Sequence, residues 1–297
     1  MKTPVELVAN TNCEIGENPL WHAETKCVFY LDIAAGTVYE YSPSNHACRP
    51  FSRGRVTGGM VAQEDGSLLL FQDGGISILG LDGVQHEVAT GLCPQNQRFN
   101  DAIADPEGRV YAGAMGGNGR LLRFDPDGKV TELFDGVGIP NGMGFTADLK
   151  SMYFTDSTVR RIYKFAYDRR TGELSNRQVF TEIPTDEGVP DGMLVDADGY
   201  IWTAIWYGGR VKRYAPDGRL DCEVMVPARQ TSAVALGGAE LSDLFITTAA
   251  NCDSSDLQPK DYDVTAPRGG GLYSVQIEGV HGKPAFRSRL SFPLRTT

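Results

Sequence analysis

Apolar positions along this chain come in short runs, four to seven residues long and rich in Val, Ile, Tyr and Phe. Examples are "CVFYLDI" (27–33), "SLLLFQ" (67–72), "RVYAGAM" (109–115), "SMYFTDS" (151–157), "YIWTAIW" (200–206) and "DLFITTA" (243–249). Gly, Pro and Asp bound the runs, and the spacing of a helical face is hard to find, so the pattern predicts strands. Four of the separators share one form: "DPEG" (105–108), "DPDG" (125–128), "DADG" (196–199) and "APDG" (215–218). Pro or Ala suits the right-handed position of a tight turn, and Gly supplies positive φ.

The run–turn–run unit recurs. "FNDAIADPEGRVYAGAM" (99–115), "PNGMGFTADLKSMYFTDS" (140–157) and "PDGMLVDADGYIWTAIW" (190–206) are one phrase written three times. Aligning the heads of all such units gives Glu17, Gly59, Asn100, Asn141, Asp191 and Ser232, in steps of 42, 41, 41, 50 and 41 residues. The long step contains the long hairpin "AYDRRTGELSNRQVF" (166–180). Six units of about four strands predict an all-β fold, a six-bladed β-propeller, as a single domain over residues 1–297. The N-terminal "VELVAN" (5–10) is expected to close the last blade against the C-terminal "AFRSRLSF" (285–292), hiding both sheet edges.

Composition narrows the function classes. A net charge of −10 argues against nucleic acid and anionic membranes as partners. The N-terminal stretch lacks the apolar core of a secretory signal, and nothing approaches the roughly 18 apolar residues of a spanning helix. Six scattered cysteines (Cys13, Cys27, Cys48, Cys93, Cys222, Cys252), without a Cys-x-x-Cys, read as free thiols of a cytoplasmic protein, a monomer or weak homo-oligomer.

The innermost strands of a propeller run along one axis, so residues at the same point of each repeat form a ring at the channel mouth. Glu17, Asn100, Asn141 and Asp191 are therefore expected to converge. Glu17, Asn141 and Asp191 offer hard oxygen ligands for one divalent cation, without selecting among Ca²⁺, Mg²⁺, Mn²⁺ and Zn²⁺. No nucleophile elbow and no phosphate-binding loop is present. The four histidines (His22, His46, His86, His281) lie beside turns and read as surface residues.

Several motifs together resemble the SMP-30/gluconolactonase/regucalcin family: "IGENPLWH" (15–22), "RFNDAIADPEGRVYAGAM" (98–115), "PNGMGF" (140–145), "SNRQVF" (175–180), "PDGMLVDADGYIWTAIWYGGRVKRYAPDG" (190–218) and "PRGGGLYSV" (267–275). They span nearly the whole chain in the family's order. The resemblance implies a six-bladed propeller and a metal-dependent hydrolase of sugar lactones. It implies Glu17, Asn141 and Asp191 as metal ligands, and Arg98 and Asn100 as substrate contacts. Asp191, able to hold a cation with one oxygen and take a proton with the other, is the expected general base. Asp101 is expected to anchor its own loop. Relatives often carry a longer loop with an acid after the segment matching Met115; here "GGNGR" (116–120) leads directly to the next strand. On this fold the same electrophile would also serve an organophosphate esterase, and an ion site alone would suit a non-catalytic calcium-binding protein.

Overall fold

The computed structural model describes residues 4–94, 96–251 and 256–296. Six four-stranded antiparallel blades, one of them extended by a short fifth strand, are arranged as a β-propeller. Blade 1 comprises Gly16–His22, Cys27–Asp32, Thr37–Ser42 and Ala47–Arg53. Blade 2 comprises Thr57–Ala62, Leu68–Gln72, Gly75–Leu79 and Gln85–Thr90. Blade 3 comprises Arg98–Ala104, Val110–Met115, Gly119–Phe124 and Lys129–Val137. Blade 4 comprises Pro140–Phe145, Ser151–Asp156, Arg161–Asp168 and the long Glu173–Glu182. Blade 5 comprises Val189–Val195, Ile201–Trp206, Arg210–Tyr214 and Leu220–Met225. Blade 6 takes Thr231–Gly237, Asp243–Thr248 and Leu272–Gln276 from the C-terminal part and Glu6–Ala9 from the N-terminus. The repeat count and the hairpin turns follow the sequence pattern: Gly108, Gly128, Gly199 and Gly218 have φ of 82°, 86°, 86° and 90°.

The ring closes differently from expectation. Glu6–Ala9 pairs antiparallel with Leu272–Gln276, with Glu6 opposite Ser274 and Leu7 opposite Tyr273, and not with residues 285–292. "LYSVQ" is an unbroken β-rich run, whereas Gly282 and Pro284 interrupt the approach to the later segment, and Pro cannot donate to a ladder. Residues 281–294 instead form a strap across the end of the propeller where the inner hairpins turn. Ala197 N–H donates to His281 O (2.8 Å), Gly282 N–H to Leu241 O (2.7 Å), Ser288 N–H to Ala62 O (2.8 Å) and Arg289 N–H to Gly108 O (2.9 Å). Arg295–Thr296 then runs parallel to the outer strand of blade 3.

The core lies between blades. Phe71, Phe99 and Phe124 pack edge-to-face at centroid distances of 5.3, 5.4 and 6.0 Å between blades 2 and 3. Trp202, fully buried, joins blade 5 to Val234, Leu236 and Leu244 of blade 6. His46, His86 and His281 are exposed, but His22 is not. His22 ends the inner strand of blade 1 at 1% exposure, and its Nε2 lies 2.9 Å from Gly66 O. A carbonyl can only accept, so Nε2 carries the proton and Nδ1 accepts near Thr25 Oγ1 (3.1 Å). The apolar ring edge against Phe29 explains why a histidine beside a turn is buried.

Candidate active site

All six inner strands begin at the end opposite the strap, and each breaks register near its start. The shifts fall between Glu17 and Leu20, Thr57 and Gly59, Phe99 and Ala102, Asn141 and Met143, Pro190 and Met193, and Thr231 and Ala233. Such a bulge places an extra residue on one strand and re-aims a side chain. Glu17, Asn100, Asn141 and Asp191 thus sit at equivalent irregularities in blades 1, 3, 4 and 5. Gly59 contributes no side chain in blade 2, and the Ser232 hydroxyl of blade 6 donates to Gly16 O (2.5 Å).

The residues after two of these heads explain the repeated Asn-Gly and Asp-Gly. A Cβ on Gly142 would lie 2.5 Å from Asp191 O, and one on Gly192 would lie 2.4 Å from Ala233 Cβ. Inner strands of neighbouring blades approach too closely there for any side chain. The glycines are what allow the polar heads to converge.

A hydrogen-bond chain links three blades. Arg98 Nη1 donates to Asn100 Oδ1 (2.8 Å). Asn100 Nδ2 donates to Pro140 O (2.9 Å) and to Asn141 Oδ1 (3.0 Å), so both its N–H bonds are engaged. Asn141 Nδ2 donates to Ser157 Oγ (3.0 Å), whose hydroxyl donates to Pro190 O (2.6 Å). This order fixes the orientation of both amides, because each amide nitrogen meets an acceptor and each amide oxygen a donor. Asp101 Oδ1 accepts from its own strand at Ala102 N–H (2.8 Å) and from Asn18 Nδ2 (3.1 Å), the anchoring role expected of it. Asn18, left-handed at φ 47°, also donates its backbone N–H to Glu17 Oε2 (2.7 Å).

Electrostatics single out the carboxylates. Burial, then the charge of Asp101, pushes Glu17 up to about 8. Burial, then the charges of Glu17 and Asp101, holds Asp191 well above the usual carboxylate range. Burial also raises Asp101 to about 6. Three acids thus crowd a desolvated centre with one nearby guanidinium, Arg98, whose own pKa is lowered by burial. Uncompensated buried anions are costly, and a cation removes that cost. The oxygen-only donor set of Glu17, Asn141 and Asp191 fits a hard divalent ion. Among the described residues no three His, Cys, Asp or Glu side chains group as a metal cage, so such a set relies on its amide. Asn18 Oδ1, buried beside Glu17, has no hydrogen-bond partner among the described residues.

Two residues here were not anticipated, Ser157 and Asn18. Ser157 follows the second strand of its blade as the first residue of a 3-10 turn, outside the aligned heads, and Asn18 follows a head without repeating in other units. The connection after Met115 is a tight turn, with Gly116 and Gly117 at φ 104° and 59° and Asn118 O held by Gln97 Nε2 (2.8 Å). The same end carries a longer connection between Thr248 and Leu272. Its described part reaches blade 5 through Tyr262 on Tyr207 (centroids 5.4 Å) and blade 4 through Leu257 O, which accepts from Arg160 Nη2 (2.8 Å). Below the heads, an axial cavity of about 220 Å³ runs from Asn18 and Asp101 down to Lys283 and Phe286 of the strap.

Residues 15–250 match the family described as SMP-30/Gluconolactonase/LRE-like region. The chain belongs to that family. It is 41% identical over 287 residues to Pentonolactonase XacC of Haloferax volcanii, covering 96% of this chain and 98% of the relative. It is 32% identical over 291 residues to regucalcin of Xenopus laevis, covering 94% and 96%. Among solved structures it is similar to a calcium-binding protein, regucalcin, of Agrobacterium tumefaciens, with TM-score 0.86, 27% identity, and 96% and 98% of the two chains covered. Family membership agrees with the six-bladed architecture. Among the described residues no helix is long and apolar enough to cross a membrane.

Proposed function

We propose that this protein is a divalent-metal-dependent lactonase that opens the ring of a sugar lactone or a related lactone. The observation that carries the reading is the buried pair Glu17 and Asp191, both held above the usual carboxylate range by burial and Asp191 further by the charge of Glu17, beside Arg98 and Asn100, whose side chains are hydrogen-bonded to each other, in the same ring of inner-strand heads. The 41% identity to a pentonolactonase over almost the full chain supports the substrate class. The calcium-binding relative supports a divalent ion without choosing it.

Glu17, Asn141 and Asp191 would hold the ion, which when bound supplies polarisation of the lactone carbonyl. Asp191 takes the proton from the attacking water as the new C–O bond forms. The ring C–O bond then breaks, the leaving alkoxide takes back the proton held by Asp191, and the hydroxy acid so formed releases its carboxyl proton at neutral pH. Arg98 Nη1 donates to Phe99 O and Asn100 Oδ1, and the N–H groups on its other guanidinium nitrogens suit a substrate carbonyl or hydroxyl. Asn100, with both N–H bonds engaged, can meet substrate only through the remaining lone pair of Oδ1. Its larger contribution is to hold Asn141 Oδ1 in place.

The test follows the released proton with a pH indicator, using five- and six-membered sugar lactones, with metal-stripped protein and with each divalent ion restored. Turnover that depends on an added ion is expected. Full activity in chelator-treated protein would remove the metal from the reading, and ion binding without turnover on any lactone would favour a non-catalytic calcium-binding role.

A further inference from the structure

We propose that Ser157 and Ser232 are positioning residues, each clamping from a neighbouring blade the peptide that precedes a candidate metal ligand. The inference rests on the ligand set proposed above. Three carbonyls stand immediately before the three ligand candidates: Gly16 O before Glu17, Pro140 O before Asn141, and Pro190 O before Asp191. Each accepts a hydrogen bond from a buried side chain of the preceding blade. Ser232 Oγ of blade 6 donates to Gly16 O of blade 1 (2.5 Å), Asn100 Nδ2 of blade 3 to Pro140 O of blade 4 (2.9 Å), and Ser157 Oγ of blade 4 to Pro190 O of blade 5 (2.6 Å). The contacts run in the same sense around the ring. Their donors are 0%, 8% and 2% exposed.

Geometry gives these contacts a common task. The ligand candidates sit where the inner strands break register, and a bulge disrupts the ladder locally. Neighbouring inner strands also meet across glycine, with no side chains to interlock. The angle at which each head enters the axis is therefore held by what grips the adjoining peptide. A serine hydroxyl is short and has a single proton, so at full burial it sets one distance and one direction. Ser157 has a second task, since its oxygen accepts from Asn141 Nδ2 (3.0 Å). That bond turns Asn141 Oδ1 away from Ser157, so one hydroxyl orients a candidate ligand in blade 4 and the peptide before another in blade 5.

The experiment measures binding of Ca²⁺ and of Mn²⁺ to metal-stripped protein by calorimetry, for the parent, Ser157→Ala, Ser232→Ala and Ser77→Ala. Ser77 is a control: it too is buried, and its hydroxyl donates to Gln72 Oε1 (2.6 Å) in blade 2, away from the ligand candidates. Loss of an outer-shell partner weakens metal binding about 10- to 100-fold. That loss is expected for Ser157→Ala and Ser232→Ala, with Kd unchanged in Ser77→Ala even if its melting temperature falls as much. If an alanine variant does not fold, threonine, which keeps the hydroxyl, and cysteine, a weak donor, take its place, and Kd should rise from Thr to Cys. Serine variants that bind within about two-fold of the parent would overturn the positioning role alone. A parent that binds neither ion would overturn it together with the ligand set.

Discussion

At the scale of single residues, Asp191 carries two opposed demands. Its carboxylate has to be charged to accept a proton, yet burial and two neighbouring acids disfavour that charge. Asp191→Asn is expected to lower kcat by about 10²- to 10⁴-fold, the range for losing a general base. In metal-free protein at neutral pH the same change should raise the melting temperature, because Asn removes an acid whose ionisation burial and two neighbouring carboxyls oppose. Activity within a few-fold of the parent would exclude Asp191 as the base. Glu17 gives a pH signature. Its folded value of about 8 lies above the ordinary 4.5, so the stabilisation from its bound proton is complete below 4.5 and is lost as pH rises through about 8. The melting temperature of metal-stripped protein should therefore fall between about pH 5 and about pH 8.5 more steeply than that of Glu17→Gln. A saturating divalent ion should flatten the parent's profile, since metal displaces protons from its ligands. Parallel profiles for parent and variant would show that Glu17 is not held in this environment.

At the scale of elements, the inner strands are defined by what they lack as much as by what they carry. Gly142 follows Asn141 because the strand of blade 5 passes against it, and Gly142→Ala would drive a methyl to within 2.5 Å of Asp191 O. Overpacking of this kind costs about 1–3 kcal/mol. Denaturant unfolding should show that loss, and metal affinity should fall with it, because the displaced strand carries Asp191. A variant as stable as the parent would mean that the blades are free to separate. The turn at Gly116–Asn118 makes a different prediction. It presents no acid to substrate hydroxyls, whereas a site built to bond a hydroxyl rejects the analogue lacking it by roughly 10⁴ or more. The ratio of kcat/KM for a hydroxylated lactone over its deoxy counterpart should be far below that. A ratio of that size would point instead to the connection between Thr248 and Leu272 as the source of recognition.

At the scale of the whole molecule, stability and site geometry depend on closing a ring. Glu6–Ala9 completes blade 6 and covers the edge of Leu272–Gln276, while the strap ties the hairpin ends of the blades together. Deleting residues 1–10 should expose that edge, lower the melting temperature on the order of 10 °C and promote aggregation. Calorimetry with light scattering measures both, and a deletion variant that melts with the parent would show that the strap alone keeps the ring shut.

The fold was legible because it is local and repeated. Strand runs, Asp-x-x-Gly turns and a period near 41 residues are properties of neighbouring positions, and six copies of one pattern average out the ambiguity of each. The ring of Glu17, Asn100, Asn141 and Asp191 was legible for the same reason, since repeat symmetry turns an alignment into a spatial neighbourhood. What had no repeat could not be read. The partner of the closing strand depended on which of two C-terminal runs could form a ladder, and His22 became buried through packing on Phe29 and a carbonyl 44 residues away. Ser157 and Ser232 acquired their contacts from blades 33 and 216 positions distant in the chain. Local pattern determined which elements form and which residues head them. Only tertiary structure decided what holds those heads in place, because hydrogen bonds between blades are set by how the ring closes.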